Sequence, residues 1–139
     1  MALVDTNVVI RNYLLTQATI TALIDSRLYI AKLPQNTTLP AVAFFSRGGS
    51  SSPYIPGIPT PSIQFDCWAS RQIDAREVYR AIYDALQGIQ NVDVVVGADT
   101  YQIMGAREEV QGQDLQDAEF PDYYKTLGFF EVMIRASLT

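Results

Sequence analysis

The chain has 139 residues, 48% of them hydrophobic and 18% charged, and a net charge of −5. That length suits one domain with a real core. With only Lys32 and Lys125 as lysines and its arginines scattered, the chain lacks the clustered positive charge that phosphate neutralisation needs.

There is no histidine, which removes the usual general base, the usual partner of a catalytic thiol and the commonest zinc ligand. Cys67 is the one cysteine, so no intrachain disulfide can form. No stretch is long and apolar enough to span a bilayer. Met1–Asp5 lacks the basic and apolar regions of a signal peptide, so synthesis in the cytosol is expected.

In chain order, Asp5 or Thr6 is a helix cap, and Val9, Ile10, Tyr13 and Leu14 follow at helical spacing. Thr16–Ile24 either continues that helix or begins a short second one capped by Thr16, with Ala18, Ala22, Leu23 and Ile24 toward the core. Arg27–Ile30 is a short strand. Leu33–Asn36 and Thr37–Pro40 are turn material, since each proline restricts the residue before it and removes a ladder donor. Ala41–Arg47 is a strand whose Ala-Val-Ala-Phe-Phe run is apolar on both faces. It therefore needs helices on one side and a second cover on the other.

Gly48–Ser62 holds three glycines, four prolines and four serines, with Tyr54, Ile55 and Ile58 among them. Its composition predicts a long projecting hairpin loop between antiparallel strands. Two readings stand: a solvated loop, or an arm that packs on a partner, because exposed Tyr and Ile are costly unless something covers them.

Ile63–Gly88 is the centre of the pattern. Ile63, Phe65, Cys67 and Ala69 alternate with Gln64, Asp66 and Trp68, the period of a half-buried strand. The period then changes, and Ala75, Val78, Ile82, Ala85 and Leu86 recur at helical spacing. Ser70 is the expected cap of this helix, and Gly88 its left-handed end. Val92–Val96 is a short apolar run, Thr100–Val110 a strand passing through Gly105, and Gln111–Asp122 acidic and irregular. In Thr126–Ala136, Phe130, Val132, Ile134 and Ala136 face one way and Phe129, Glu131, Met133 and Arg135 the other. The fold class expected is α+β: an antiparallel β-sheet flanked by two main helices, in a single domain over residues 1–139.

Candidate chemistry is sparse. Glu108, Glu109, Asp114, Asp117, Glu119 and Asp122 fall within fifteen residues, without Lys or Arg among them. Such oxygen donors can bind a hard cation, but the spacing does not match the calcium loop of an EF-hand. A solvated loop suits this segment best, then an interface rim, then a metal site, then a catalytic carboxylate pair. Gly48–Ser52 lacks the Lys-Ser/Thr ending of a phosphate loop. The serines have no histidine for a triad, and Trp68 and the tyrosines have no basic groove in which to stack bases. Core and interface roles suit Cys67, Trp68 and the tyrosines better.

The order of pieces resembles the tail completion, or tail terminator, proteins of long-tailed bacteriophages. The resemblance rests on Arg27-Leu28-Tyr29, on Leu33-Pro34 with Leu39-Pro40-Ala41, and on Gln64-Phe65-Asp66-Cys67-Trp68-Ala69 leading into the helix. It extends over nearly the whole chain, to the last strand entered through Asp122-Tyr123-Tyr124-Lys125. It implies a non-enzymatic virion protein without cofactors, assembled in the host cytoplasm. It implies a homo-oligomeric ring, typically of six copies, on the head-proximal end of the tail tube. There the ring would end tube growth and meet the tail tube protein and the head–tail connector or stopper, with DNA only passing through its lumen.

An acidic lumen fits that passage. The candidate interface residues are Tyr54, Ile55, Ile58, Asp114, Asp117 and Glu119. The alternatives are a neighbouring head-closure or stopper ring, a metal-dependent hydrolase using residues 108–122, and a small binding module with a pocket under the sheet.

Overall fold

A computed structural model describes residues 5–52, 55–116 and 123–135. Among these there are three helices and one six-stranded sheet. The helices are α1 (Thr6–Leu15), α2 (Ala18–Ile24) and α3 (Gln72–Leu86). The strands are β1 (Leu28–Ile30), β2 (Ala41–Ser52), β3 (Ile55–Ala69), β4 (Gln90–Val96), β5 (Asp99–Gln116) and β6 (Tyr124–Arg135). The sheet order is β1-β2-β3-β6-β5-β4. The fold is α+β, as the alternation of periods predicts.

Asp5 is the N-cap of α1, its carboxylate accepting from the Asn7 amide at 3.2 Å. Thr16 closes α1 instead of capping α2: its Oγ1 donates to the Tyr13 carbonyl at 2.6 Å. Gln17 then leads into α2 without a side-chain cap. The N-cap of α3 is Arg71, not Ser70, and its guanidinium bonds Asp74 in the first turn at 2.9 Å. Gly88 ends the helix at φ +80, the left-handed conformation expected of it.

The alternating strands behave as their period dictates. Ile63, Phe65, Cys67 and Ala69 of β3, and Phe130, Val132 and Ile134 of β6, are buried on one face. Phe44 stacks on Phe65, whose ring meets Phe130 edge-on at 5.7 Å. α3 covers this face with Val78, Tyr79, Ile82 and Leu86. Cys67 is fully buried, and both burial and the neighbouring Asp66 charge raise its thiol pKa.

Three further features depart from the sequence reading. First, the sheet is not wholly antiparallel. β1 runs parallel to β2, with Leu28 opposite Val42 and Ile30 opposite Phe44. Parallel neighbours need a crossover, and residues 31–40 supply it.

Second, within the stretch expected to be a loop, Gly48–Ser52 and Ile55–Ser62 are strand. The β2–β3 ladder continues through Gly49–Pro61 and Ser50–Thr60 to Ser52–Ile55, with shifts of register on the way. Third, Gln111–Gln116 is strand, and after a shift of register past Val110 it pairs with β6 from Gln113 opposite Leu127 to Gln116 opposite Tyr124.

The sheet is curled. α1 packs against both of its edge strands, β1 and β4, although these lie at opposite ends of the strand order. Adjacent residues make the link: Arg11 donates to the Leu28 carbonyl of β1 at 2.8 Å, and Asn12 to the Val95 carbonyl of β4 at 3.2 Å. Both edges are thereby partly closed to pairing with another chain.

Candidate interaction surface

The helices fill the inside of the curl and leave the other face of the sheet without helical cover. That outer face carries Gln64, Asp66 and Trp68 of β3 and Lys125, Leu127, Phe129, Glu131 and Met133 of β6, most of them half-buried. Its rings are covered by cations: Arg47 lies over Phe129 at 4.5 Å and Lys125 over Trp68 at 4.7 Å. Its charges are paired within the chain. Arg107 bonds Glu131 at 2.7 Å, and Ser62 donates to Glu109 at 2.5 Å.

One end of this face is roofed by the crossover. Residues 31–37 and Leu39, with Ala43, Asp66, Trp68 and Tyr123, enclose a groove of about 510 Å³. That is within the size range of ligand-binding clefts. The crossover is the second cover that the doubly apolar Ala41–Phe45 run requires, and Ala43 is buried beneath it. Sequence reasoning took 33–40 as turn material and so missed the groove. The available signal was the length of this segment together with the two apolar faces of β2.

At the other end, β2 and β3 part from β6, which itself continues to Arg135 paired with β5, and the buried Thr60 lines a cavity with Glu131 and Met133. β6 pairs with β3 only from Ser62 onward, and β1 reaches β2 only as far as Phe44. Ser46–Ser50 are exposed. The two-stranded arm is shaped by Gly48 at φ +100 and Gly49 at φ +129. A Cβ on Gly49 would stand 2.3 Å from the Thr60 carbonyl oxygen, so only glycine fits this bulge.

Of the candidate interface residues, the described ones are not brought to one place. Ile58 lies on the arm, half-buried. The backbone of Ile55 is in β3. Tyr54, Asp117, Glu119 and Asp122 lie outside the described residues. Asp114 sits at the far end of the sheet, opposite Thr126, which is itself opposite Cys67.

Asp114 accepts from Arg76 at 3.0 Å and from the buried Thr126 hydroxyl at 3.0 Å, while Gln72 donates to Thr126 at 2.9 Å. Glu108 accepts from the Tyr79 hydroxyl. These carboxylates bind strand β5 to α3. Among the described residues, no three His, Cys, Asp or Glu side chains come together as metal ligands would.

In fold, the chain is similar to one from the virion of a native gene transfer agent (GTA) particle. The TM-score is 0.63 at 15% identity, over 95% of this chain and 98% of that one. No protein-family model matches this chain, and no curated protein matches it in sequence.

Proposed function

We propose that this chain is a structural virion protein that forms a ring, six copies around, at the head-proximal end of a tail tube. It ends tube growth there and joins the tail to the head connector, while DNA passes through the lumen. The observation that carries this reading is the likeness of fold to a virion chain over nearly the full length of both chains.

The surfaces are consistent with it. A ring subunit needs two different surfaces, one for each neighbour. This chain offers an arm at one end of the sheet and a roofed groove at the other. The acidic segment lends little to a metal-dependent hydrolase, since Asp114 is engaged by Arg76 and Thr126 and Glu108 by Tyr79.

Electron microscopy of lysates from the parent phage with this gene disrupted tests the proposal. Full heads beside separate tails, some overlong, are the expected result. Normal-length tails with emptied heads would move the protein to the head side of the neck. Intact infectious particles would sink the structural reading altogether.

A further inference from the structure

The sheet ends in two outer strands, β1 and β4, and each turns backbone groups away from its neighbour. In β1, the Arg27 carbonyl accepts from the Val42 amide and the Ala31 amide donates to Phe44. A parallel ladder bonds alternate residues, so Leu28 and Ile30 face outward. In β4, Val96 opposite Asp99 closes the hairpin. The antiparallel alternation then gives Val92, Val94 and Val96 to β5 and turns Asp93 and Val95 outward.

Of the two edges, β4 is the more open to pairing. Val92–Val96 holds four valines, one charged residue and no proline. Val95 is 64% exposed. A β-branched run on a sheet edge is a template for another strand. It also fits a second copy of itself. With two β4 strands antiparallel and Val95 opposite Val95, Asp93 falls opposite Gly97 and Val94 opposite Val96, so no like charges meet.

Helix α1 meets both edges through adjacent side chains. Asn12 donates to the Val95 carbonyl at 3.2 Å, and the Arg11 guanidinium to the Leu28 carbonyl at 2.8 Å. Both acceptors are outward-facing carbonyls, the groups that an added strand would bond. Val95 is also the centre of the self-pairing register. The helix therefore takes up the bonding capacity of β4 at the position where a second strand would have most to gain.

We infer that β4 is a pairing edge held shut by α1. The Asn12 and Arg11 bonds are an autoinhibitory contact that keeps the chain from adding the β4 strand of a second copy to its sheet. Such a pairing joins the same surface of both copies, so it ends at a dimer and competes with a closed ring. The device does not depend on the ring reading, because it acts on the chain before any partner is met.

The test is sedimentation velocity of the purified full chain, over a range of concentrations, with Arg11→Ala and Asn12→Ala together. Self-association should tighten roughly tenfold relative to the unaltered chain, about the worth of the backbone hydrogen bonds set free. Adding Asp93→Pro removes an outward N–H at an edge position, where proline is tolerated, and should return association to the unaltered level. The same proline with α1 unaltered should leave association as it was.

Asn12→Ala alone keeps the Arg11 anchor of α1 and should give a smaller rise, and melting temperatures confirm that each variant is folded. Unchanged association in the folded Asn12→Ala variant overturns the inference. So does association that survives Asp93→Pro, since that would come from loosened packing and not from the β4 edge.

Discussion

Tyr79 shows what one side chain does for this fold. Its ring covers two strand glycines: a Cβ on Gly112 would come within 2.6 Å of it, and one on Gly128 within 3.1 Å. Its hydroxyl donates to Glu108 and accepts from the Gly112 amide at 3.0 Å. Burial first, then the hydrogen bond to Glu108 and that carboxylate's charge, push its pKa up to about 12 from an ordinary 10.0.

The folded chain therefore holds this proton more tightly than the unfolded chain. The contribution is complete below about pH 10 and is lost as pH rises through about 12. Tyr79→Phe should cost about 1–3 kcal/mol at neutral pH, because it strands the Gly112 amide. It should also flatten the fall of the urea midpoint between pH 10 and pH 12. A midpoint that falls as steeply in the variant would refute the assignment. Tyr13, raised by burial, remains in the variant and keeps some of the slope. The sequence placed Tyr79 on the central helix but gave no sign of Gly112 or Glu108, which reach it only through the strand order.

Among the elements, the arm is the one most dependent on backbone geometry. Gly49 is the test position, since its φ of +129 and its approach to Thr60 both exclude a side chain. Gly49→Ala should unzip the ladder beyond Ser46. Amide exchange should then lose protection across residues 49–61 and keep it across Ile63–Cys67. Equal protection in both segments after the substitution would show that the arm does not rely on the bulge.

The half-buried strands β3 and β6 were legible, because a strict period of two leaves one assignment of faces. The ladder through Gly48–Ser62 was not. Glycine and proline lower strand propensity locally, and here tertiary pairing overrides that preference. The same applies to Gln111–Gln116, whose charges predict a loop but whose register with β6 makes a strand.

At the scale of the molecule, the curl decides which surfaces remain for partners. α1 ties both sheet edges through Arg11 and Asn12, the helices fill the inside, and the arm projects from one end. Removing Tyr54–Pro59 should leave the core intact, because the buried aromatic and aliphatic cluster is built from residues elsewhere in the chain. We expect a melting temperature within a few degrees of the full chain and loss of head–tail joining in complementation. Joined tails at normal frequency would remove the arm from the assembly surface.

The sequence by itself determined the α+β class, the core faces of β3, β6 and α3, a cap at Asp5 or Thr6 and the stop at Gly88. Each of these follows from local periodicity or from one residue's own conformational preference. Only the tertiary structure decided that β1 is parallel, that the Gly/Pro stretch is a paired arm, and that residues 31–39 roof a groove. Those features depend on which segments become neighbours, and that is set by the burial of the whole core rather than by any local pattern.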